Sequence, residues 1–336
     1  MLHEKSAPTA TMSPLVMSMK SLRKRLMLGT KYRPYLRYAV FRWIMPHLGH
    51  DPLFHMNLAQ KAWPKVAGLT ANRKYTDQIE SIDCGSHGSS ASDVLVDYAR
   101  TSRPVVLKGY IGRDVWTLEK VKNEVGDIVQ TVRVGNYDEA AGNPDVIRMT
   151  VADFIDYLQG RSEFPYKDRL VKDKGPYLGN VQFPSLAKQI PLPSFFPTTP
   201  EFSGFWLGSW ARSPLHCHQH CDVLLTQLVG RRSVILVPPH QAGLVGCVPR
   251  NYNACTAEFD PFEPDQQRFP ADLIHSLRYE LEGGDTLLIP GFWFHAVRLT
   301  QPSFAVSQFN DGVMPLAVGG GPRGPWQKRA YMQGWG

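Results

Sequence analysis

Long apolar runs are missing from this 336-residue chain, and cysteine is scarce. No segment approaches the roughly 20 consecutive apolar residues of a membrane-spanning helix, so the sequence predicts no transmembrane segment. The five cysteines are an odd number, which argues against a disulfide framework and favours a reducing, cytoplasmic compartment. Charged residues make up 20% of the chain and hydrophobic residues 43%, proportions that indicate a globular protein and exclude wholesale disorder.

Acidic residues are almost absent from the first 50 residues, whereas the remainder of the chain is nearly neutral. Nine lysines and arginines stand there against Glu4 alone, and the whole chain carries a formal charge of +7. Such a basic segment favours contact with an anionic partner. Its composition also fits an organelle-targeting peptide, and its aromatic residues are typical of an extension that packs on a globular body. These alternatives stay open.

Composition divides the chain into four parts. We assign residues 1–75 to a basic, aromatic N-terminal extension, residues 76–200 to an α/β region, residues 201–312 to a β-rich core and residues 313–336 to a glycine-rich tail. Short strands separated by turn glycines and prolines, and preceded by helices, indicate a mainly β protein with some α structure. The predicted fold is a double-stranded β-helix, or jelly roll, with an N-terminal α/β extension.

Two apolar stretches of the core, residues 223–229 and 233–237, are separated by Gly230, Arg231 and Arg232. Because a glycine between two strand-like stretches is typical of a tight turn, this pattern predicts a β-hairpin. Residues 240–275 follow two prolines and predict a long loop or insertion.

Three histidines are the candidate metal ligands. His216 and His218 are two residues apart, so their side chains are expected on the same side of a strand. His295 follows a second aromatic segment far downstream. Non-haem iron is commonly held by two histidines and one carboxylate, with the opposite face open for chemistry, although imidazoles suit zinc, copper and nickel as well. The usual carboxylate is missing, since His218 stands in its place.

Four further segments accompany these histidines in a recognisable order. They are Arg103–Gly109, Ser213–His216, Gln227–Arg232 and Leu281–Pro290, the last followed by Trp293-Phe294-His295. Together they resemble the Jumonji C, or cupin-like, family of iron(II)/2-oxoglutarate oxygenases over residues 80–312. The similarity is greatest to the small hydroxylase branch of that family.

The resemblance implies roles for several residues. His216 and His295 match the two iron-binding histidines. Arg232 stands where the family usually has a lysine that binds the distal carboxylate of 2-oxoglutarate, and a guanidinium can bind a carboxylate through two hydrogen bonds. Ser213 matches a position whose hydroxyl often contacts the same co-substrate.

Two other positions carry weaker implications from the resemblance. Tyr177 lies in a segment that resembles the mouth of the family's site, where a tyrosine binds co-substrate or substrate, or packs in the core. Ser307 stands where relatives often have an asparagine near the co-substrate.

His218 departs from the family pattern, and three interpretations follow. His218 is itself the third ligand, in a three-histidine site. Alternatively, an extra residue bulges the strand and Asp222 supplies the missing carboxylate. In the third interpretation the centre has lost its catalytic activity.

The resemblance implies a 2-oxoglutarate-dependent dioxygenase that binds Fe(II), 2-oxoglutarate and O2. Hydroxylation of a protein or peptide side chain, a tRNA base or a small molecule is the expected reaction, and a homodimer is compatible with this sequence. The alternative is a non-catalytic cupin-like module that binds metal or acts as a scaffold.

Overall fold

A computed structural model describes a large part of the chain after residue 77. The described residues are 78–84, 91–134, 146–165, 167, 170, 175–193, 196, 203–218, 221–241, 244–249, 254–267, 269, 271 and 274–310. The predicted N-terminal extension and the glycine-rich tail lie outside them. No helix among these residues has the length and apolar character needed to cross a membrane.

Strands account for most of the regular structure. In chain order they are β1 (Glu80–Asp83), β2 (Val105–Lys108), β3 (Val129–Arg133), β4 (Val146–Thr150), β5 (Tyr177–Val181), β6 (Ser203–Gly208), β7 (His216–His218), β8 (Val223–Val229), β9 (Arg231–Val237), β10 (Cys247–Pro249), β11 (Ala254–Ala257), β12 (Leu277–Glu282), β13 (Thr286–Ile289), β14 (Phe294–Arg298) and β15 (Ser303–Phe309). The helices are α1 (Ala91–Arg100), α2 (Leu118–Val125), α3 (Val151–Leu158) and α4 (Pro184–Ala187), with a 3-10 turn at Pro239–Gln241.

The strands form two sheets. One has the order β1-β2-β13-β8-β15-β6-β5-β3-β4, and the other has the order β10-β11-β7-β14-β9-β12. A buried apolar cluster joins them, since Leu225 and Ile289 of the first sheet pack with Val234 and Leu236 of the second. Alternating inward and outward side chains make such a two-layer core possible. The predicted mainly β, double-stranded β-helix fold is confirmed.

The predicted hairpin is wrong, although both of its strands form. β8 pairs with β13 and β15 in the larger sheet, whereas β9 pairs with β12 and β14 in the smaller sheet. Gly230, with a φ of +74°, lies where the chain passes from one sheet to the other. A turn glycine is equally suited to a hairpin and to this crossing, so the local pattern did not distinguish them.

The segment predicted as a long loop, residues 240–275, contains two short strands. β10 pairs with β11, and β11 pairs with β7 through Thr256 opposite His216 and Ala254 opposite His218. The other neighbour of β7 is β14. The three-residue strand that carries two candidate ligands is therefore held on both sides.

The α/β region adds strands to both edges of the larger sheet. Its helix α3 begins after Thr150, whose Oγ1 accepts a hydrogen bond from the Asp153 amide at 3.0 Å, as expected of an N-cap. The apolar face of α3, which includes Phe154 and Ile155, packs in a core with Phe205 and Phe304 of β6 and β15. Helix α3 therefore packs against the larger sheet, which forms one wall of the candidate site.

Candidate metal centre

Two neighbouring strands of the smaller sheet bring the three histidines together. His216 and His218 lie on β7, and His295 on β14 stands directly opposite His216 in the register. One ring nitrogen from each residue can be chosen so that all three lie within 4.8 Å of one another. The ring centroids of His216 and His295 are 4.2 Å apart. This spacing allows the three imidazoles to bind one metal ion.

Hydrogen bonds orient two of these rings. The Nδ1 of His216 lies 2.9 Å from the Pro214 carbonyl oxygen, and the Nδ1 of His295 lies 3.3 Å from the Trp293 carbonyl oxygen. A carbonyl oxygen only accepts, so each Nδ1 carries the proton and donates it. The Nε2 of each ring then keeps a lone pair for a metal ion.

Electrostatics favour the metal-binding form of His295. Burial lowers the pKa of His295 well below its ordinary value of 6.5, and the neighbouring His216 and His218 lower it further. The hydrogen bond to Trp293 opposes this shift only in part. Since a metal ligand must be unprotonated, a neutral imidazole at physiological pH is ready to bind.

The carboxylate of Asp222 is not part of the three-histidine group. Asp222 is fully buried, and its Oδ1 accepts a hydrogen bond from the Gly291 amide at 2.7 Å. Its Oδ2 accepts one from the Asn310 side chain at 3.2 Å. The structure therefore brings His218, and not Asp222, together with His216 and His295.

A cavity of about 120 Å³ opens beside the histidines. The four predicted co-substrate residues, Tyr177, Ser213, Arg232 and Ser307, all line it with the three histidines. No aspartate or glutamate is among the described residues that form its wall. The cavity is therefore suited to an anionic occupant.

Arg232 places a buried positive charge in this wall. Arg232 is 3% exposed, and its Nη2 donates a hydrogen bond to the Ser303 hydroxyl at 3.1 Å. Across the described part of the chain, its Nε has no hydrogen-bond partner and no acid forms an ion pair with it. Burial lowers the pKa of Arg232 to about 9, which reflects the cost of a desolvated cation. A carboxylate in the cavity would offset that cost.

The two serines predicted to contact the co-substrate already accept hydrogen bonds from protein groups. The Ser213 hydroxyl oxygen accepts a hydrogen bond from the Val297 amide at 3.0 Å. The Ser307 hydroxyl oxygen accepts one from the Trp206 indole at 3.0 Å. Each hydroxyl retains its own proton, which a ligand oxygen can accept. Tyr177 is half-buried at the start of β5.

Two features of the site were missed by the sequence analysis. Ser303 accepts hydrogen bonds from both Arg232 and the Gln227 side chain, so it orients the guanidinium. Arg212 also lines the cavity and forms ion pairs with Asp260 at 3.0 Å and Glu263 at 3.2 Å. Because these contacts join residues that are distant in sequence, no local sequence motif predicts them.

Taken together, the residues fit a divalent transition metal with an anionic chelating ligand. Imidazole nitrogens suit Fe, Zn, Cu and Ni, so the donor set does not select one of these metals. Three protein ligands leave further coordination positions for other groups. The buried guanidinium of Arg232 suits the far end of a dicarboxylate.

Comparison with known proteins agrees with this architecture. Residues 91–312 match the family described as cupin-like domain. The chain is 28% identical over 254 residues to the chicken (Gallus gallus) tRNA wybutosine-synthesizing protein 5, covering 69% of this chain and 76% of that protein. It is 23% identical over 252 residues to the human bifunctional peptidase and (3S)-lysyl hydroxylase JMJD7, covering 64% and 79%. It is 27% identical over 228 residues to lysine-specific demethylase 8 of Xenopus tropicalis, covering 62% and 48%. The chain therefore belongs to the cupin-like, Jumonji C family.

Proposed function

We propose that this protein is an Fe(II)/2-oxoglutarate-dependent dioxygenase that hydroxylates its substrate. The observation that carries the proposal is the buried guanidinium of Arg232, which lines the same cavity as the three histidines, with no acid among the described residues of its wall. A buried cation of this kind calls for an anionic partner, and a dicarboxylate that chelates the metal would supply it. The names of the relatives, which include a lysyl hydroxylase and a demethylase, support the same class of chemistry.

In this proposal His216, His218 and His295 hold Fe(II). When bound together, Fe(II), 2-oxoglutarate and O2 would supply the oxidising power for insertion of one oxygen atom into a C–H bond of the substrate. Arg232 binds the distal carboxylate of 2-oxoglutarate, and the Ser213 and Ser307 hydroxyls donate to oxygens of the same ligand. Tyr177 borders the cavity, where its phenol can contact co-substrate or substrate.

The choice of His218 as third ligand has a consequence for charge. Three neutral imidazoles leave the double positive charge of the metal uncompensated, whereas a carboxylate would reduce it. This excess of positive charge, added to that of Arg232, favours binding of dianionic 2-oxoglutarate. The hydrogen bonds of the Asp222 carboxylate to Gly291 and Asn310 support His218 over Asp222.

The substrate belongs to one of three classes in this proposal: a protein or peptide side chain, a tRNA base or a small molecule. The names of the relatives refer to tRNA wybutosine synthesis and to lysyl hydroxylation. The odd number of cysteines, two of which (Cys217 and Cys221) stand beside the histidines in the sequence, supports a reducing, cytoplasmic setting.

The missing carboxylate ligand favours one rival, a non-catalytic cupin-like module that binds metal or acts as a scaffold. To distinguish the two, the purified protein is reconstituted anaerobically with Fe(II), and 2-oxoglutarate and O2 are then added. We expect succinate to form slowly without substrate and faster with the correct one, and calorimetry to detect 2-oxoglutarate binding. If no succinate forms with any candidate substrate and no 2-oxoglutarate binding is detected, the oxygenase is excluded and the rival remains.

A further inference from the structure

The buried carboxylate of Asp222 joins segments that belong to different parts of the candidate centre. Asp222 directly precedes β8, and its Oδ1 accepts a hydrogen bond from the amide of Gly291 in the turn between β13 and β14. Its Oδ2 accepts from the side chain of Asn310, and its carbonyl oxygen accepts from the Asn310 amide at 3.2 Å. One fully buried residue thus fixes the turn before β14 to the end of β15.

That turn contacts two of the three histidines. The amide of Phe292 donates a hydrogen bond to the carbonyl oxygen of His218 at 2.8 Å. The carbonyl oxygen of Trp293 accepts the proton of His295 Nδ1. A displacement of the turn would therefore move the backbone of His218 and rotate the ring of His295 together.

The turn also holds an unfavourable backbone conformation. Phe292 has a φ of +73°, in the left-handed region that bulky residues rarely adopt. Such a conformation persists only where surrounding contacts impose it. Several contacts hold it here. Besides the bond from the Phe292 amide to the His218 carbonyl oxygen, the Gly291 amide donates to Asp222 on one side, and the Trp293 indole donates to the Ser102 carbonyl oxygen at 3.0 Å on the other.

We propose that Asp222 is a positioning residue, which sets the mutual geometry of His218 and His295 through the turn at residues 290–293. It acts without coordinating the metal. This inference rests on the proposed metal centre, and it assigns the acid nearest in sequence to the histidine pair a different task from ligation. Groups that orient metal ligands typically change metal affinity by about 10-fold to 100-fold when they are removed.

The test compares two variants, Asp222→Ala and Asp222→Asn, with a matched control. Asp285 is also buried, and its carboxylate accepts hydrogen bonds from the amides of Gly109 and Glu282 in a different turn. Asp285→Ala therefore removes a comparable buried carboxylate without touching the turn before β14. Binding of Co(II) to the metal-free full-length proteins is measured by calorimetry, and the visible spectrum of bound Co(II) reports its coordination geometry.

We expect Asp222→Ala to weaken Co(II) binding by about 10-fold or more and to change the visible spectrum. Asp222→Asn keeps an oxygen for the Gly291 amide, so its affinity should lie between those of Asp222→Ala and the wild type. Asp285→Ala should bind Co(II) like the wild type even if it unfolds at a lower temperature. Should Asp222→Ala fail to fold, the affinity and spectrum of Asp222→Asn decide between the outcomes.

Three results would overturn the inference. Unchanged affinity and spectrum in the folded Asp222 variants would show that the turn is set by other contacts. Equal losses in the Asp222 and Asp285 variants would reduce the role of Asp222 to general stability. A wild-type protein that binds no Co(II) would remove the metal centre itself, and with it the proposed function.

Discussion

At the scale of single residues, Arg232 carries the strongest functional expectation. Its guanidinium is buried in the cavity wall, and among the described residues Ser303 is the partner that its Nη2 contacts. Replacement by alanine should weaken 2-oxoglutarate binding by about 2 kcal/mol or more, because a charge-assisted bidentate pair is lost. Calorimetric titration of the metal-loaded protein measures the change.

Arg231 provides the matched control for this prediction. It precedes Arg232 on β9, but its side chain is exposed and does not line the cavity. Arg231→Ala should leave 2-oxoglutarate affinity within about 0.5 kcal/mol of the wild type, the usual range for surface substitutions. If Arg232→Ala also retains the wild-type affinity, then Arg232 does not bind the co-substrate.

At the scale of elements, the crossing between β8 and β9 depends on Gly230. A Cβ at this position would lie 2.2 Å from the Pro302 carbonyl oxygen, and the φ of +74° is unfavourable for any other residue. Gly230→Ala should lower the free energy of unfolding by about 2–3 kcal/mol, since backbone strain and a steric clash act together. Urea denaturation measures the loss.

Gly160 separates these two effects. Its φ is +72°, but a Cβ there would meet nothing within 4 Å. Gly160→Ala should therefore cost about 1 kcal/mol, from the left-handed backbone alone. Equal losses in the two variants would mean that the contact with Pro302 relaxes freely. We expect the larger loss of stability in Gly230→Ala. This variant should also bind 2-oxoglutarate more weakly, because Arg232 lies two residues beyond the crossing.

At the scale of the whole molecule, His295 couples stability to pH. Its pKa in the folded protein lies well below 6.5, mainly because the ring is buried. On acidification the His295 ring therefore binds a proton in the unfolded chain but not in the folded protein. For the metal-free protein, the free energy of unfolding should fall as pH drops below about 6.5, by up to about 1.4 kcal/mol per pH unit from this group.

The measurement is urea denaturation in the presence of a chelator at pH 7.5 and pH 5.5. A His295→Gln variant lacks the titrating ring, so its loss of stability between these two pH values should be smaller than that of the wild type. An identical loss in both proteins would show that His295 does not contribute to the pH dependence.

Local patterns predicted individual strands well because they report short apolar runs and the turn residues that bound them. The strands β8 and β9 are examples. Strand pairing was less accessible. The predicted hairpin of β8 and β9 was wrong because a short apolar run shows that a segment is a strand, whereas the packing of the two sheets decides which strands pair with it.

The candidate site divides in a similar way. Flanking motifs singled out His216, His295 and Arg232, since each lies in a short segment with a recognisable order of residues. Spacing alone did not select the third ligand, because His218 suits a regular strand and Asp222 suits a bulged one. The ligand roles of these residues stay predictions. The role of Ser303 could not be predicted from the sequence, because it depends on the placement of β15 beside β8.

By itself, the sequence determined the mainly β composition, the family resemblance and the residue types that a metal centre would need. Only the tertiary structure decided which residues meet. It brings the ring of His218 within reach of His216 and His295, and it ties the Asp222 carboxylate to the turn before β14. The physical reason is that contacts across strands depend on register and sheet assignment, which are set by burial over the whole core and not by any local segment.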